Sequence, residues 1–409
     1  MKRLMILGSG YAHLELSQVA EAEGYECVIV DKDNNIIARE RFGERFFQVE
    51  SYNLEKMISI YEKTNSQGVI TSFSDITIRP YVELCEALNL PCFLEKKHIP
   101  ILTRKDLMKR MFDKHHIPTS KWCLMNSTAK EVKTDLTFPV ILKPLDSSGS
   151  KGIYICNNEV DVKRNIEKVN KKCNVPMENI LVEEFYKGDE VSASFWIENG
   201  KVHFMSMRDR VVEYLVDNRP PQTILNRCPS VYQGIYEKDM EELAQRIVDG
   251  ENFKNGPFTI QALIGKNGIY VIEILGRLPG CADDRLSKML YGIDQLKMCV
   301  YYALGNCKVP KPENGQAKIL NSFPIILKEG TISEFINLEE VKELEYVTHV
   351  DLYCSIGQKV EDTGDMTSIM GRILFKSDND SMAKEYEKYI KSIFDIVNEE
   401  GESLIINFL

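Results

Sequence analysis

The feature that most constrains this chain is residues 138–155, Phe138-Pro139-Val140-Ile141-Leu142-Lys143-Pro144-Leu145-Asp146-Ser147-Ser148-Gly149-Ser150-Lys151-Gly152-Ile153-Tyr154-Ile155. Two aliphatic runs flank a loop of small and polar residues, a pattern that predicts strand, loop and returning strand. Lys143 closes the first strand and Lys151 stands at the tip between glycines. Small residues let backbone N–H groups approach an anion, and the lysines add point charges, so the segment suits a lid over phosphates. A solvated turn rich in Ser and Gly has the same composition. The flanking sequence must decide between the two.

A chain of 409 residues has room for two or three domains and a substantial core. Its formal net charge of −10 argues against broad binding to nucleic acid or an anionic membrane. Eleven cysteines are scattered without a Cys-x-x-Cys, which argues against a disulfide framework or structural zinc and fits a reducing cytoplasm. The apolar run 4–7 is too short for a signal peptide, and no stretch approaches the ~20 apolar residues of a membrane span. The expected location is the cytosol.

Residues 1–95 alternate strands (4–7, 27–30, 68–71) with helices, one of them at 81–90 before Pro91. That alternation predicts a parallel sheet with helices on both faces. Gly8-Ser9-Gly10 and Asp31 invite a dinucleotide-binding reading, but His13 stands where the fingerprint's third glycine belongs. A helix is predicted over 103–116, capped by Thr103, with Leu107, Met108, Met111 and Phe112 as its apolar stripe. Lys105 lies in its first turn, facing either solvent or a ligand anion. A second helix follows over 161–171.

The run Ile180-Leu181-Val182-Glu183-Glu184-Phe185 ends a buried-type strand in paired acids, either a rim feature or acceptors for a nucleoside. Strands resume over 191–197 and 201–207, followed by Arg208-Asp209-Arg210, which is either a solvated charge run or a contact for an acidic substrate. A hairpin is predicted over 258–277 with its turn at 265–268. Its strand alternation puts Gln261, Glu273, Leu275 and Arg277 on one face, with Ile272 and Ile274 in the core. A carboxylate beside an amide oxygen suits a hard cation bound jointly with phosphates, or a satisfied polar edge. Beyond 311 the pattern gives strands at 320–327, 347–355 and 371–375 and a closing helix near 382–397.

Taken in order, these residues resemble the ATP-grasp superfamily, most closely its carbamoyl-phosphate synthetase-like and carboxylate–amine (amino-acid) ligase members. The resemblance implies an α/β and α+β architecture. It comprises an N-terminal doubly wound parallel-sheet domain (1–100), a small subdomain with a hinged ATP lid (101–195), a large subdomain with a central antiparallel sheet (196–310) and a C-terminal α+β piece (311–409). It also implies that Lys105 and Lys143 contact ATP phosphates under a loop containing Ser148, Gly149, Ser150, Lys151 and Gly152. Glu183, Glu184 and Phe185 would line the adenine pocket and Glu190 would reach the ribose. Gln261 and Glu273 would bind Mg²⁺, with Mn²⁺ as the alternative ion, and Arg277 would hold the acyl phosphate. Catalysis would rest on Arg277 and Lys143. Relatives carry Asn two residues after the metal-binding Glu, and this chain has Leu275 there, which bears on whether one metal or two are held.

The activity implied is an ATP-dependent ligase that joins a small carboxylate to an amine through an acyl phosphate, releasing ADP and phosphate. Two other readings stay open: a purine-pathway-like ligase or carboxylase using bicarbonate or formate, and a non-catalytic nucleotide-binding protein. The expected partners are small-molecule acids and amines rather than nucleic acid or membrane, and the family suggests a homodimer.

Overall fold

The aliphatic runs of the first seventy residues form a parallel sheet because they are short, apolar and wholly buried. The structure is a computed structural model that describes residues 2–129, 134–147, 151–173, 177–214, 221–280, 283–306, 309–310, 318–361 and 369–407, with Asp283 and Asp284 described by backbone alone. β1 (Lys2–Leu7), α1 (Tyr11–Ala22), β2 (Tyr25–Asp31), α2 (Ile36–Phe42), β3 (Phe46–Gln48), α3 (Leu54–Thr64), β4 (Ser66–Ile70) and α4 (Ile78–Ala87) build this part. Its sheet runs in the order β3-β2-β1-β4, with Leu4 beside Cys27 and Ile6 beside Ile29. The doubly wound expectation holds, although β3, only three residues long, was not anticipated. Gly8 is required where it stands: its φ is +109°, and an added Cβ would lie 2.5 Å from Nε2 of His13. His13 thus replaces the fingerprint's third glycine by packing its ring on the first. Asp31 is drawn inward, accepting from Ser9 Oγ at 2.6 Å and Tyr52 OH at 3.2 Å.

Two helices follow, α5 (His98–Thr103) and α6 (Lys105–Lys114). Thr103 does not cap α6 as expected. It ends α5, and its hydroxyl donates to Ile99 O at 2.8 Å. The residue before α6 is Arg104, whose guanidinium grips both carboxylate oxygens of Asp106 at 3.0 Å. The apolar stripe of α6 is largely buried, with Met108, Met111 and Phe112 each at most 5% exposed. At ~2 kcal/mol per buried side chain, this stripe fixes which face of α6 turns inward.

A four-stranded sheet ordered β5-β8-β6-β7 comprises β5 (Trp122–Asn126), β6 (Val140–Lys143), β7 (Tyr154–Cys156) and β8 (Asn179–Glu184), with α7 (Glu159–Asn170) between β7 and β8. The predicted strand–loop–strand is present: β6 and β7 are antiparallel, with Val140 opposite Cys156. Val140, Leu142, Ile180 and Val182 form one face of this sheet and pack with Val162 and Ile166 of α7 in a core of their own.

The rest builds an eight-stranded sheet, β13-β12-β9-β10-β11-β14-β19-β17. Its elements are β9 (Asp189–Glu198), β10 (Lys201–Glu213), β11 (Gln222–Cys228), α8 (Gln233–Glu251), β12 (Gly256–Gly265), β13 (Gly268–Leu275), α9 (Asp283–Tyr291), α10 (Gln295–Ala303) and β14 (Ile319–Ile326). The chain continues with β15 (Gly330–Thr331), β16 (Glu334–Ile336), α11 (Leu338–Glu343), β17 (Val347–Leu352), β18 (Lys359–Val360), β19 (Ile369–Ser377), α12 (Asp380–Ile393) and β20 (Asp395–Val397), of which β15 pairs with β18 and β16 with β20 in two separate two-stranded sheets.

The structure draws two boundaries differently from the sequence. Ile99, Met108 and Phe112 share a core with the N-terminal sheet and with Phe195, Phe258 and Ile260 of β9 and β12, so α5 and α6 join the body rather than the lid. The C-terminal piece has its own core around Phe323, Ile373 and Phe375, yet β14, β19 and β17 extend the central sheet without a break. Both differences arise because strand pairing and core membership are long-range, and no local feature of the sequence marks them.

Candidate functional site

The β12–β13 hairpin supplies the centre of the site. Gln261 lies directly opposite Glu273, and the register slips by one residue immediately beyond, so that Ala262 faces Val271 and Ile272 has no partner. This bulge corrects the expectation for Ile272. Instead of filling the core with Ile274, which is fully buried, Ile272 turns with Glu273 into the site.

Lys105, Lys143, Gln261, Glu273 and Arg277 line one cavity of about 480 Å³ together with Ser147, Ile153, Arg210, Leu275, Tyr353 and Arg372. A second cavity of about 570 Å³ shares Asp75, Lys105, Ser147, Glu273, Leu275 and Arg277 and continues toward Lys32, Tyr52 and Arg79 of the N-terminal domain. The site therefore sits where the N-terminal sheet domain, α6, β6, the β12–β13 hairpin and β19 converge.

Cationic side chains outnumber carboxylates around the 480 Å³ cavity, with Lys105, Lys143, Arg210, Arg277 and Arg372 against Asp75 and Glu273. Lys105 donates its ammonium to Ser147 O, and its backbone N–H binds Leu145 O at 2.9 Å, so α6 is tied to the start of the β6–β7 loop. Burial pushes the Lys105 ammonium down, with Glu273 opposing the shift. Lys143 Nζ lies 3.0 Å from Glu183 Oε1, and Lys109 Nζ lies 3.0 Å from Glu183 Oε2. Burial alone would raise the Glu183 carboxyl, but the two ammonium groups outweigh it and bring it down to about 2. Sequence reasoning passed over Lys109. Its spacing of four from Lys105 on one helix was the available signal.

Arg277 reaches back to the N-terminal domain, where Nε meets Asp75 Oδ1 at 2.6 Å and Nη2 meets Oδ2 at 2.9 Å. Burial raises Asp75, yet the guanidinium, helped by Lys105, holds it below the usual carboxylate range. Asp75 was not anticipated either, because nothing local marks it.

The other expected residues are placed as follows. Glu190 accepts from Gln261 Nε2 and pairs with Arg210 Nε at 2.7 Å. Of the Arg208-Asp209-Arg210 run only Arg210 lines the 480 Å³ cavity: Arg208 is buried against Asn226, and Asp209 accepts from Ser230 and from Val231 N–H. Glu184 accepts from Thr137 N–H at 2.9 Å and Phe185 N–H donates to Pro139 O at 2.9 Å, and neither borders the two cavities. Lys151 is exposed, and its carbonyl accepts from Ser147 Oγ at 3.0 Å. Gly152 has φ +71°, and a Cβ there would come within 2.6 Å of Lys172 Cβ. Ser148, Gly149 and Ser150 lie outside the described residues.

Among the described residues no group of three His, Cys, Asp or Glu side chains is arranged to hold a metal. Glu273 and Gln261 nonetheless present a carboxylate and an amide side by side, a donor set that fits an ion completing its shell from phosphates and water, as Mg²⁺ does. Leu275, between Glu273 and Arg277 on the cavity wall, adds no oxygen.

The family model of the ATP-grasp domain matches residues 136–283. The chain is 25% identical over 358 residues to the formate-dependent phosphoribosylglycinamide formyltransferase of Sulfurisphaera tokodaii, covering 84% of this chain and 86% of that one. The L-amino acid ligase from Bacillus licheniformis superposes with a TM-score of 0.80 at 18% identity, covering 98% of this chain and 99% of that one. The biotin carboxylase domain of 2-oxoglutarate carboxylase from Hydrogenobacter thermophilus, determined as a dimer with MgADP, ADP and bicarbonate, gives 0.78 at 16% identity over 97% and 90% of the two chains. The expected fold class is the one these structures share. Among the described residues no helix is long and apolar enough to cross a membrane.

Proposed function

Because the chain belongs to the ATP-grasp superfamily, we propose that it is an ATP-dependent ligase that joins a small carboxylic acid to an amine. The observation that carries this reading is that Lys105, Lys143, Gln261, Glu273 and Arg277, contributed by α6, β6, β12, β13 and the segment after β13, line a single cavity.

Lys105 and Lys143 neutralise the triphosphate, with Ser147 beside them on the cavity wall. Glu273 and Gln261 hold Mg²⁺, which when bound neutralises charge on the phosphates. A carboxylate oxygen of the acid attacks the γ-phosphorus, the bond to the β-phosphate oxygen breaks, and ADP departs. Arg277, steadied by Asp75, holds the acyl phosphate. The amine nitrogen then attacks the acyl carbon, phosphate leaves, and the nitrogen's proton passes to solvent. No side chain becomes covalently attached, and the rate derives from positioning and charge neutralisation. The resemblance also implies Glu190 at the ribose and a cytoplasmic homodimer; the adenine role it implies for Glu183, Glu184 and Phe185 is not kept, because Glu183 is held between Lys143 and Lys109 and Glu184 and Phe185 border neither cavity.

A second reading, with formate or bicarbonate as the acid, is favoured by the similarity to the formate-dependent enzyme over 84% of this chain. The chemistry is the same and only the acid shrinks. ADP release measured with formate, bicarbonate and amino acids in parallel, each with and without an amine, separates the two.

A further inference from the structure

Lys109 is 2% exposed, carries an ammonium, and has no part in the scheme above. It lies on α6 in the body of the molecule, facing the lid sheet. In that sheet Ile141 is paired with Glu183 and Lys143 with Leu181, so all four share one face, opposite the face packed on α7. Across from it stand Lys105, Met108 and Lys109 of α6 with Ile272 and Glu273 of β13, leaving a gap of only about 20 Å³. The carboxylate of Glu183 bridges this gap, one oxygen at 3.0 Å from Lys143 of the lid and the other at 3.0 Å from Lys109 of the body.

Lys109 is fixed from the body side. Its ammonium lies 2.5 Å from Thr119 Oγ1, and that hydroxyl donates to Val271 O at 2.7 Å. Lys143 lines the 480 Å³ cavity and Lys109 does not, so Lys109 acts on that cavity only through Glu183.

We propose that Lys109 is a positioning residue for nucleotide binding, retaining Glu183 as its own partner so that Lys143 is released to the phosphates. A carboxylate as buried as Glu183 is tolerated only while paired. With Lys109 in place, Lys143 can turn toward a phosphate and Glu183 keeps a counter-ion. Without Lys109, the same turn strands the carboxylate, and Lys143 stays bound to it. The inference deepens the ligase reading and rests on it, since it takes the cavity to be the phosphate site.

The test is the dissociation constant of Mg·ATP, measured by titration calorimetry on the full chain. Lys109→Gln is expected to weaken binding about tenfold or more, which corresponds to the loss of one charge-assisted contact. Lys109→Arg restores it to within about threefold by keeping the charge. In a Glu183→Gln background, where no carboxylate needs a partner, adding Lys109→Gln changes affinity by less than about threefold. Equal weakening in both backgrounds, or wild-type affinity in Lys109→Gln, overturns the proposal. Should Lys109→Gln not fold, the doubly substituted chain decides: binding like the Glu183→Gln parent supports the proposal, and binding about tenfold weaker than the parent overturns it. A wild-type chain that does not bind Mg·ATP overturns the nucleotide reading and this inference together, whereas tight wild-type binding with no effect of Lys109→Gln overturns this inference alone.

Discussion

Asp75 and Arg277, 202 residues apart, meet through two hydrogen bonds of 2.6 and 2.9 Å, tying the N-terminal domain to the residue expected to hold the acyl phosphate. A bidentate pair fixes a guanidinium in plane and in direction, which a single contact does not.

Asp75→Ala removes that constraint and leaves a largely buried guanidinium with a lost partner. Stability is expected to fall by about 3 kcal/mol in urea denaturation. In the folded fraction kcat/KM for the acid should fall roughly 100-fold, because Arg277 is no longer aimed. Unchanged kinetics would remove Asp75 from the site's function.

Glu183 gives an acid-limb prediction. Its carboxyl sits at about 2 in the fold against an ordinary 4.5, so the stabilisation it brings is present above 4.5 and is lost as pH falls toward 2. About 3 kcal/mol is at stake over that window. The stability–pH curve of Glu183→Gln should be flatter than wild type by that amount between pH 4.5 and 2. Parallel curves would contradict the pairing with Lys109 and Lys143.

His13 gives a separate one. Burial pushes its imidazole down to about 4 from 6.5, so the folded protein keeps it neutral while the unfolded chain takes up a proton. Stability is complete above pH 6.5 and declines as pH falls to about 4, by roughly 3 kcal/mol. The ring's resonances should titrate near 4, and a midpoint near 6.5 would mean that the ring does not pack on Gly8.

Much of the site was legible because its chemistry is local. The Gln261–Glu273 opposition follows from a tight turn and strand alternation, and the β6–β7 hairpin from Gly and Ser between aliphatic runs. What escaped is non-local. The bulge that turns Ile272 into the cavity is a register slip that no periodicity announces. The pairing of Asp75 with Arg277 depends on how domains meet, and Lys109 looked like an ordinary helix lysine until Glu183 was placed beside it. Thr103 was a sound cap candidate, overridden because α5 extends through it.

Leu275 stands where the ATP-grasp resemblance implies a metal-binding Asn, and it borders both cavities beside Glu273. Leu275→Asn should lower the Mg²⁺ concentration needed for half-maximal activity several-fold, on the order of 1 kcal/mol for an added oxygen ligand. No change would show that the wall at 275 does not face the ion.

The most direct test of the central claim is ADP and phosphate release with Mg·ATP across a matrix of acids, including formate and bicarbonate, each paired with amines, with Glu273→Ala as control. The account predicts release that requires one particular acid and amine together and disappears in the control. Release that is independent of any acid, or undiminished in Glu273→Ala, would contradict it.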